Sequence, residues 1–192
     1  MNQKTYKIVG MGILTALVIV LQVFASAIKL GPFSITLTLV PIVVGSALYG
    51  WKCGGWLGAV FGAVVLISGD AAAFLAINVF GTIITCLLKG ALAGTLAGLT
   101  YKALEKKNKV AAAVAAAIVC PVTNTGVFLL GTVLFFLDEV RQWGVDGGYN
   151  NVFVYMIAAF VGLNFIIELG INLILSPSIV TILKNVRKPS KA

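Results

Sequence analysis

Histidine is absent from the sequence, and only six acidic residues and three cysteines occur among its 192 residues. Hydrolysis and group transfer usually need a nucleophile beside a base, or a metal cluster. The apolar segments contain no paired carboxylates, and Cys53, Cys86 and Cys120 show neither metal-ligand spacing nor a disulfide framework. We therefore predict that the chain is not an enzyme and holds no catalytic residue, metal or cofactor.

Charged residues are also scarce, because they make up 10% of the chain against 60% hydrophobic residues. This balance is typical of membrane proteins, and many apolar blocks approach the roughly 20 residues that a helix needs to cross a bilayer. The alternation of barrel strands is missing. We predict an all-α fold with a single membrane-embedded domain over residues 1–192. It is a compact six-transmembrane-helix bundle with helices at residues 8–28, 33–50, 54–68, 78–101, 110–137 and 152–183.

The basic residues are distributed unevenly among the predicted loops. An even number of helices places both termini on one side, and the outer loops then hold only Lys29 and Arg141. By the positive-inside rule the termini are predicted to be cytoplasmic. The net charge of +8 thus reflects membrane topology and does not indicate nucleic-acid binding. The inner segments collect Lys4, Lys7, Lys52, Lys102, Lys106, Lys107, Lys109, Lys184, Arg187, Lys188 and Lys191.

Glycines recur every four residues on two of the predicted helices. Small residues at this spacing let a neighbouring backbone approach closely. The pattern predicts tight packing along both helices, at Gly54, Gly58 and Gly62 on the third and at Gly90, Gly94 and Gly98 on the fourth.

Polar side chains interrupt three of the apolar helices. Spacings of three and four residues place such side chains on one helical face, and polar groups at membrane depth are costly, so they normally face a cavity or each other. We therefore expect a functional site among them. The polar residues are Asn78, Thr82, Thr85 and Lys89 on the fourth helix, Thr123, Asn124 and Thr125 on the fifth, and Asn164, Glu168 and Asn172 on the sixth.

Two interpretations of Lys89 remain open. It could form a structural ion pair with Glu168, or it could line a ligand cavity that opens outward. In the second case the outer loops would close the cavity, including the segments at residues 68–78 and 142–151. Trp143 and Tyr149 would stack on a ligand ring, and Asn150 or Asn151 would form a hydrogen bond with it. The same two aromatic residues would also suit an interfacial belt.

Two stretches resemble a known family. The segments ITLTLVPIVVGSALYGWKCGGWLGAVFG and NVFGTIITCLLKGALAGTLAGLTYKAL are similar to the substrate-binding S components of energy-coupling factor (ECF) transporters. The resemblance implies a bacterial cell-membrane subunit that binds a water-soluble vitamin or related micronutrient. It also implies partners, namely a transmembrane coupling subunit and two ATPase subunits. The chain itself has no GxxxxGK[ST] phosphate loop.

The resemblance also implies which residues act. Docking on the coupling subunit would use Gly12 and Ala16, although these could instead pack within the bundle. Lys89 would either neutralise an anionic ligand such as pantothenate or hold a polar network around an uncharged one such as riboflavin. The implied ligand pocket comprises Asn78, Thr82, Thr85, Lys89, Asn124, Tyr149, Asn150, Asn164 and Glu168.

A second function from another class remains open. A self-sufficient secondary carrier or channel for a small polar solute would have the same composition. Uptake by proteoliposomes without partners would favour it, whereas a requirement for ATPase subunits would exclude it.

Overall fold

The computed structural model describes residues 3–27, 29–30, 33–34 and 37–186. Its elements follow one another in the chain as α1 (Gln3–Ser26), β1 (Lys29–Leu30), β2 (Phe33–Ser34), α2 (Leu39–Tyr49), α3 (Trp51–Ile67), α4 (Ala72–Leu75), α5 (Val79–Leu104), α6 (Lys109–Phe135), α7 (Leu137–Asp146), α8 (Val152–Tyr155), a π-helical segment (Met156–Val161) and α9 (Gly162–Val186).

The architecture is a bundle of apolar helices. In the described part of the chain, four helices are long and apolar enough to cross a membrane, and two shorter apolar ones, α2 and α3, accompany them. This confirms the predicted helical membrane fold. The four long helices are Lys4–Ser26, Val79–Leu104, Lys109–Phe135 and Val152–Leu175.

The second helix begins later than predicted, at Leu39 rather than at residue 33. Phe33 and Ser34 instead form β2, which pairs with β1 as a short antiparallel hairpin. A short apolar run does not distinguish a strand from a buried helix, and the sequence between the strands, Gly-Pro, is a turn-forming pair. The resulting α2 has 11 residues, of which eight are buried, so it lies inside the bundle.

The glycines of α3 and α5 pack against each other. A methyl group added at Gly58 would collide with the main-chain carbonyl of Gly90, and one added at Gly54 would collide with that of Gly94. In the same way, a methyl group added at Gly90 would collide with the main-chain carbonyl of Gly58, and one added at Gly94 with that of Gly54. The two backbones are therefore in direct contact, which is the close approach that four-residue glycine spacing predicts.

Asparagine residues cap the N-termini of three of the helices. The Asn78 side chain accepts a hydrogen bond from the Gly81 amide at the start of α5, and Asn108 and Asn151 cap α6 and α8 in the same way. Such caps satisfy amide groups that have no partner within the helix. They fix where α5, α6 and α8 begin.

The predicted sixth helix is divided into three parts. After α8, residues Met156–Val161 are π-helical, and α9 begins at Gly162. A π-helical turn inside a helix often accompanies a functional site. Here Met156 and Phe160 of this turn belong to a buried cluster with Phe74, Phe136 and Val140.

Candidate binding cavity

A cavity of about 90 Å³ lies within the bundle, lined by residues of α1, α3, α5, α6 and α9 together with α4 and the π-helical segment. This volume is several times the roughly 10–15 Å³ that a single water molecule requires. Its lining combines aromatic and polar side chains. Lining residues are Gln22, Phe61, Val65, Asp70, Ala71, Phe74, Thr82, Thr85, Cys86, Lys89, Asn124, Thr125, Phe128, Phe136, Phe160, Phe165 and Glu168.

Lys89 projects its ammonium group into an aromatic setting. Nζ lies 5.6 Å from the ring centroid of Phe61 and 5.2 Å from that of Phe128. Such cation–π contacts stabilise a partly desolvated cation. Within the described residues no salt bridge joins Lys89 to Glu168. The direct ion pair considered from the sequence is therefore not formed, and the charge of Lys89 is presented to the cavity.

Two buried polar atoms in the lining have no hydrogen-bond partner among the described residues. They are the Thr85 hydroxyl and the Asn124 Oδ1 atom. A neighbouring cavity residue, Thr82, does have one, because its hydroxyl donates to the main-chain carbonyl of Asn78 at 2.7 Å. Buried polar groups are nearly always paired, so these two atoms have hydrogen-bonding capacity available for a group bound in the cavity.

α9 contributes an acidic side chain to the cavity. Glu168 is only 6% exposed and lines the cavity. One helical turn further on, Asn172 is fully buried and donates its Nδ2 group to the main-chain carbonyl of Glu168 at 2.8 Å. The polar stripe predicted on the last helix thus faces the interior of the bundle at both positions.

A second polar cluster was not predicted from the sequence. Gln22 of α1 donates its Nε2 group to Asp70 Oδ2 at 2.8 Å, and its Oε1 atom accepts a hydrogen bond from the Thr38 hydroxyl at 3.0 Å. Ser68 also donates to Asp70 Oδ2, at 3.3 Å. Gln22 is a single amide in α1 and forms no repeating polar stripe. In the sequence, Asp70 looks like one of several acidic residues in the predicted outer loops. The one available signal was the cost of an isolated amide in an apolar helix.

Phe74 of the short helix α4 stands at the centre of an aromatic cluster. Its ring makes edge-to-face contacts with Phe128, Phe136, Trp143 and Phe160, at centroid distances of 5.0 to 6.2 Å. Three of these partners line the cavity, whereas Trp143 belongs to α7 and does not. Trp143 thus packs on Phe74 outside the cavity lining.

Several predicted pocket residues lie elsewhere. Asn78 has extended backbone geometry outside α5 and uses its side chain as the helix cap, so it does not continue the stripe of Thr82 and Thr85. Tyr149 and Asn150 are exposed, and the Tyr149 ring packs on Tyr155 rather than in the cavity. The side chain of Asn164 lies outside the described residues. Of the predicted pocket, Thr82, Thr85, Lys89, Asn124 and Glu168 do meet in the cavity.

The predicted docking residues lie on an exposed face of α1. Gly12 and Ala16 are both exposed, and a methyl group added at Gly12 would have no atom of the described residues within 4 Å. This face continues through large apolar side chains, including Ile13, which is 64% exposed. The alternative that these small residues pack inside the bundle is therefore not what the structure shows.

Comparison with known proteins gives two matches. The family model for the substrate-specific component of ECF transporters matches residues 6–180. The chain is also 27% identical over 206 aligned positions to the pantothenic acid transporter PanT of Lactococcus lactis subsp. cremoris (strain MG1363). The alignment covers 98% of this chain and 99% of the relative. No solved structure matches the chain.

Proposed function

Because the chain belongs to the substrate-specific components of ECF transporters, we propose that it captures pantothenate outside a bacterial cell and delivers it through a shared coupling module. The cell membrane, the coupling subunit and the two ATPase subunits are part of this proposal. So is a topology of six membrane crossings with both termini in the cytoplasm, which the concentration of basic residues in the inner segments supports.

The observation that carries the choice of substrate is the environment of Lys89. Its ammonium group faces the cavity between two phenyl rings. A carboxylate on the ligand would supply the opposite charge, and charge-assisted hydrogen bonds are among the strongest that proteins form. Pantothenate has one carboxylate, and the relative's name points to the same compound.

Riboflavin fits these features less well. It is largely uncharged and brings no anion for Lys89. The cavity does offer aromatic walls, but Tyr149, which was predicted to stack on a ligand ring, packs on Tyr155 instead. The charge on Lys89 therefore favours the anionic vitamin.

The experiment is direct identification of the ligand. The protein is purified in mild detergent from cells grown in rich medium and denatured, and any stoichiometric small molecule is identified by mass spectrometry. Calorimetric titration of the emptied protein with pantothenate and with riboflavin follows. Tight binding of pantothenate alone supports the proposal, whereas tight binding of riboflavin alone overturns the choice of substrate.

Transport assays distinguish the two functional classes. In proteoliposomes, pantothenate uptake should require ATP together with the coupling and ATPase subunits. Uptake by the chain alone would instead identify a self-sufficient carrier or channel.

A further inference from the structure

Gln22 and Asp70 form a hydrogen-bonded unit in the cavity wall that is separate from Lys89. Gln22 is only 1% exposed, and both ends of its amide are engaged, one by Thr38 and the other by Asp70. The carboxylate of Asp70 can only accept hydrogen bonds, so Gln22 must direct its NH₂ group toward Asp70 and its oxygen toward the Thr38 hydroxyl. The orientation of Gln22 is therefore fixed, and Gln22 in turn fixes Asp70.

The second oxygen of Asp70 is available to a ligand. Within the described part of the chain, both side-chain hydrogen bonds to this carboxylate, from Gln22 and from Ser68, end on Oδ2. Asp70 lines the cavity, so Oδ1 can accept a hydrogen bond from a group bound there. Hydroxyl and amide N–H groups provide such donors, whereas a ligand carboxylate would be repelled.

The cavity thus has two chemically different ends. Lys89 rests on Phe61, which lies in α3 some two turns before the helix ends at Ile67, and Asp70 follows that end. At about 1.5 Å per helical residue, the backbone of Phe61 is roughly 9 Å from that of Ile67 along α3, so the residues that carry the two charges lie at different levels of the bundle. A rise of this size is about the length of three extended peptide units, or nine backbone bonds. Pantothenate has a carboxylate and a terminal hydroxyl separated by a chain of this length.

We propose that Asp70, positioned by Gln22, accepts hydrogen bonds from the hydroxyl-bearing end of the ligand, so that the ligand lies with its carboxylate at Lys89 and its hydroxyls at Asp70. Asp70 is then a specificity-determining residue and Gln22 a positioning residue. This inference rests on the proposed function, because it takes pantothenate as the ligand.

The test compares ligands that differ at one end. Calorimetry measures the affinity of the wild-type chain, Asp70→Asn and Lys89→Met for three compounds: pantothenate, its alcohol pantothenol and the analogue without the terminal hydroxyl. Asp70→Asn should weaken the binding of pantothenate and pantothenol by roughly 10- to 150-fold, with little further loss for the deoxy analogue. Lys89→Met should show the opposite pattern, with a loss for the two carboxylates and little for pantothenol.

A second variant separates positioning from folding. Gln22→Met removes the amide but keeps the length of the side chain, and it should reproduce the selective loss of Asp70→Asn in weaker form. Equal losses for all three compounds in both variants would overturn the inference, because a purely structural role does not distinguish ligand ends. A loss specific to the carboxylate end would overturn it by showing the reversed orientation. If the wild-type chain binds none of the three compounds, pantothenate is not the substrate. That result is distinct from a failure of the role proposed for Asp70, in which the wild-type chain binds pantothenate but the variants show no difference between ligand ends.

Discussion

At the scale of single residues, some of the polar groups that line the cavity have no polar partner among the described residues. Lys89 faces phenyl rings rather than a carboxylate, and the Thr85 hydroxyl has no partner among the described residues. A charge at the centre of a membrane helix costs about 2.5–3.5 kcal/mol on insertion scales. Ligand binding would offset such a cost, so these residues make specific predictions.

Replacement of Lys89 by methionine should weaken pantothenate binding by roughly 10- to 150-fold, because a charge-assisted hydrogen bond contributes about 1.5–3 kcal/mol. The fold should persist, since methionine fills the same space between Phe61 and Phe128. Calorimetry measures the affinity, and thermal unfolding of the empty protein measures stability. Lys52→Met, the same change at an exposed position, is the control. Unchanged affinity combined with lower stability would assign Lys89 a structural role.

Thr85 and Thr82 offer a matched pair for the unpaired hydroxyl. Thr85→Val removes a buried polar atom that has no partner in the described structure, so the empty protein should be as stable as the wild type or more stable. Thr82→Val removes a hydrogen bond to Asn78 and should lower the free energy of unfolding by about 1 kcal/mol. Differential scanning fluorimetry compares the two. A larger loss of stability in Thr85→Val would show that its hydroxyl is already satisfied.

The residue scale is also where sequence reasoning was least complete. Thr82, Thr85 and Lys89 were predictable because helical spacing puts them on one face, and all three line the cavity. Asn78 matched the same spacing but lies outside the helix, where an asparagine serves as a cap. Gln22 and Asp70 belong to segments far apart in the chain, so only the fold brings them together.

At the scale of helices, the contact between α3 and α5 supports the cavity. Lys89 is followed directly by Gly90, which packs on Gly58. The backbone contact therefore holds the helix that carries Lys89 at a fixed distance from the helix that carries Phe61. Rigid placement of this kind is what a selective site requires.

Gly58→Ala should destabilise the bundle by roughly 1–3 kcal/mol or more. The added methyl group would collide with the Gly90 backbone, which cannot relieve the collision by changing rotamer as a side chain can. Gly126→Ala in α6 is the control, since no atom of the described residues lies within 4 Å of the added methyl group. Thermal unfolding in detergent measures both variants. Equal stability of the two would contradict the direct contact between the backbones.

Helix positions were easier to predict than helix ends. Apolar length alone located the long helices, and the observed α5, Val79–Leu104, begins close to the predicted residue 78. The predicted start of α2 was wrong because the apolar run begins at β2, and hydropathy does not distinguish a short strand from a helix. The π-helical segment was not predictable, because its residues are all apolar and continue the apolar run of the predicted sixth helix.

At the scale of the whole molecule, the exposed face of α1 is the surface that we propose for docking of the coupling subunit. α1 exposes Gly12 and Ala16 together with large apolar side chains. Family membership followed from the order and spacing of the segments along the chain, and the family comparison confirmed it. The identity of the substrate did not follow from the fold, because one fold can carry many different sites.

Gly12→Leu and Ala16→Leu should each leave pantothenate affinity unchanged and reduce ATP-driven uptake several-fold, because a bulky side chain prevents close helix contact. Uptake is measured in proteoliposomes containing the coupling and ATPase subunits, and affinity is measured by calorimetry on the isolated chain. Ala111→Leu, the same substitution at an exposed site of α6, should affect neither. Wild-type uptake by the α1 variants would exclude this face as the docking surface.

The ring contacts of Phe74 would also affect how long a ligand stays, if the ligand passes α4 on its way in and out. Four edge-to-face contacts, at roughly 0.5–1.5 kcal/mol each, hold α4 against the cavity wall. Each 1.4 kcal/mol of such a barrier slows opening about tenfold. If a ligand passes this way, its association rate should level off at high concentration, at the rate of opening. Residence time would then depend on the cluster and affinity on the polar groups, so the protein could retain its ligand until a partner docks without binding it more tightly.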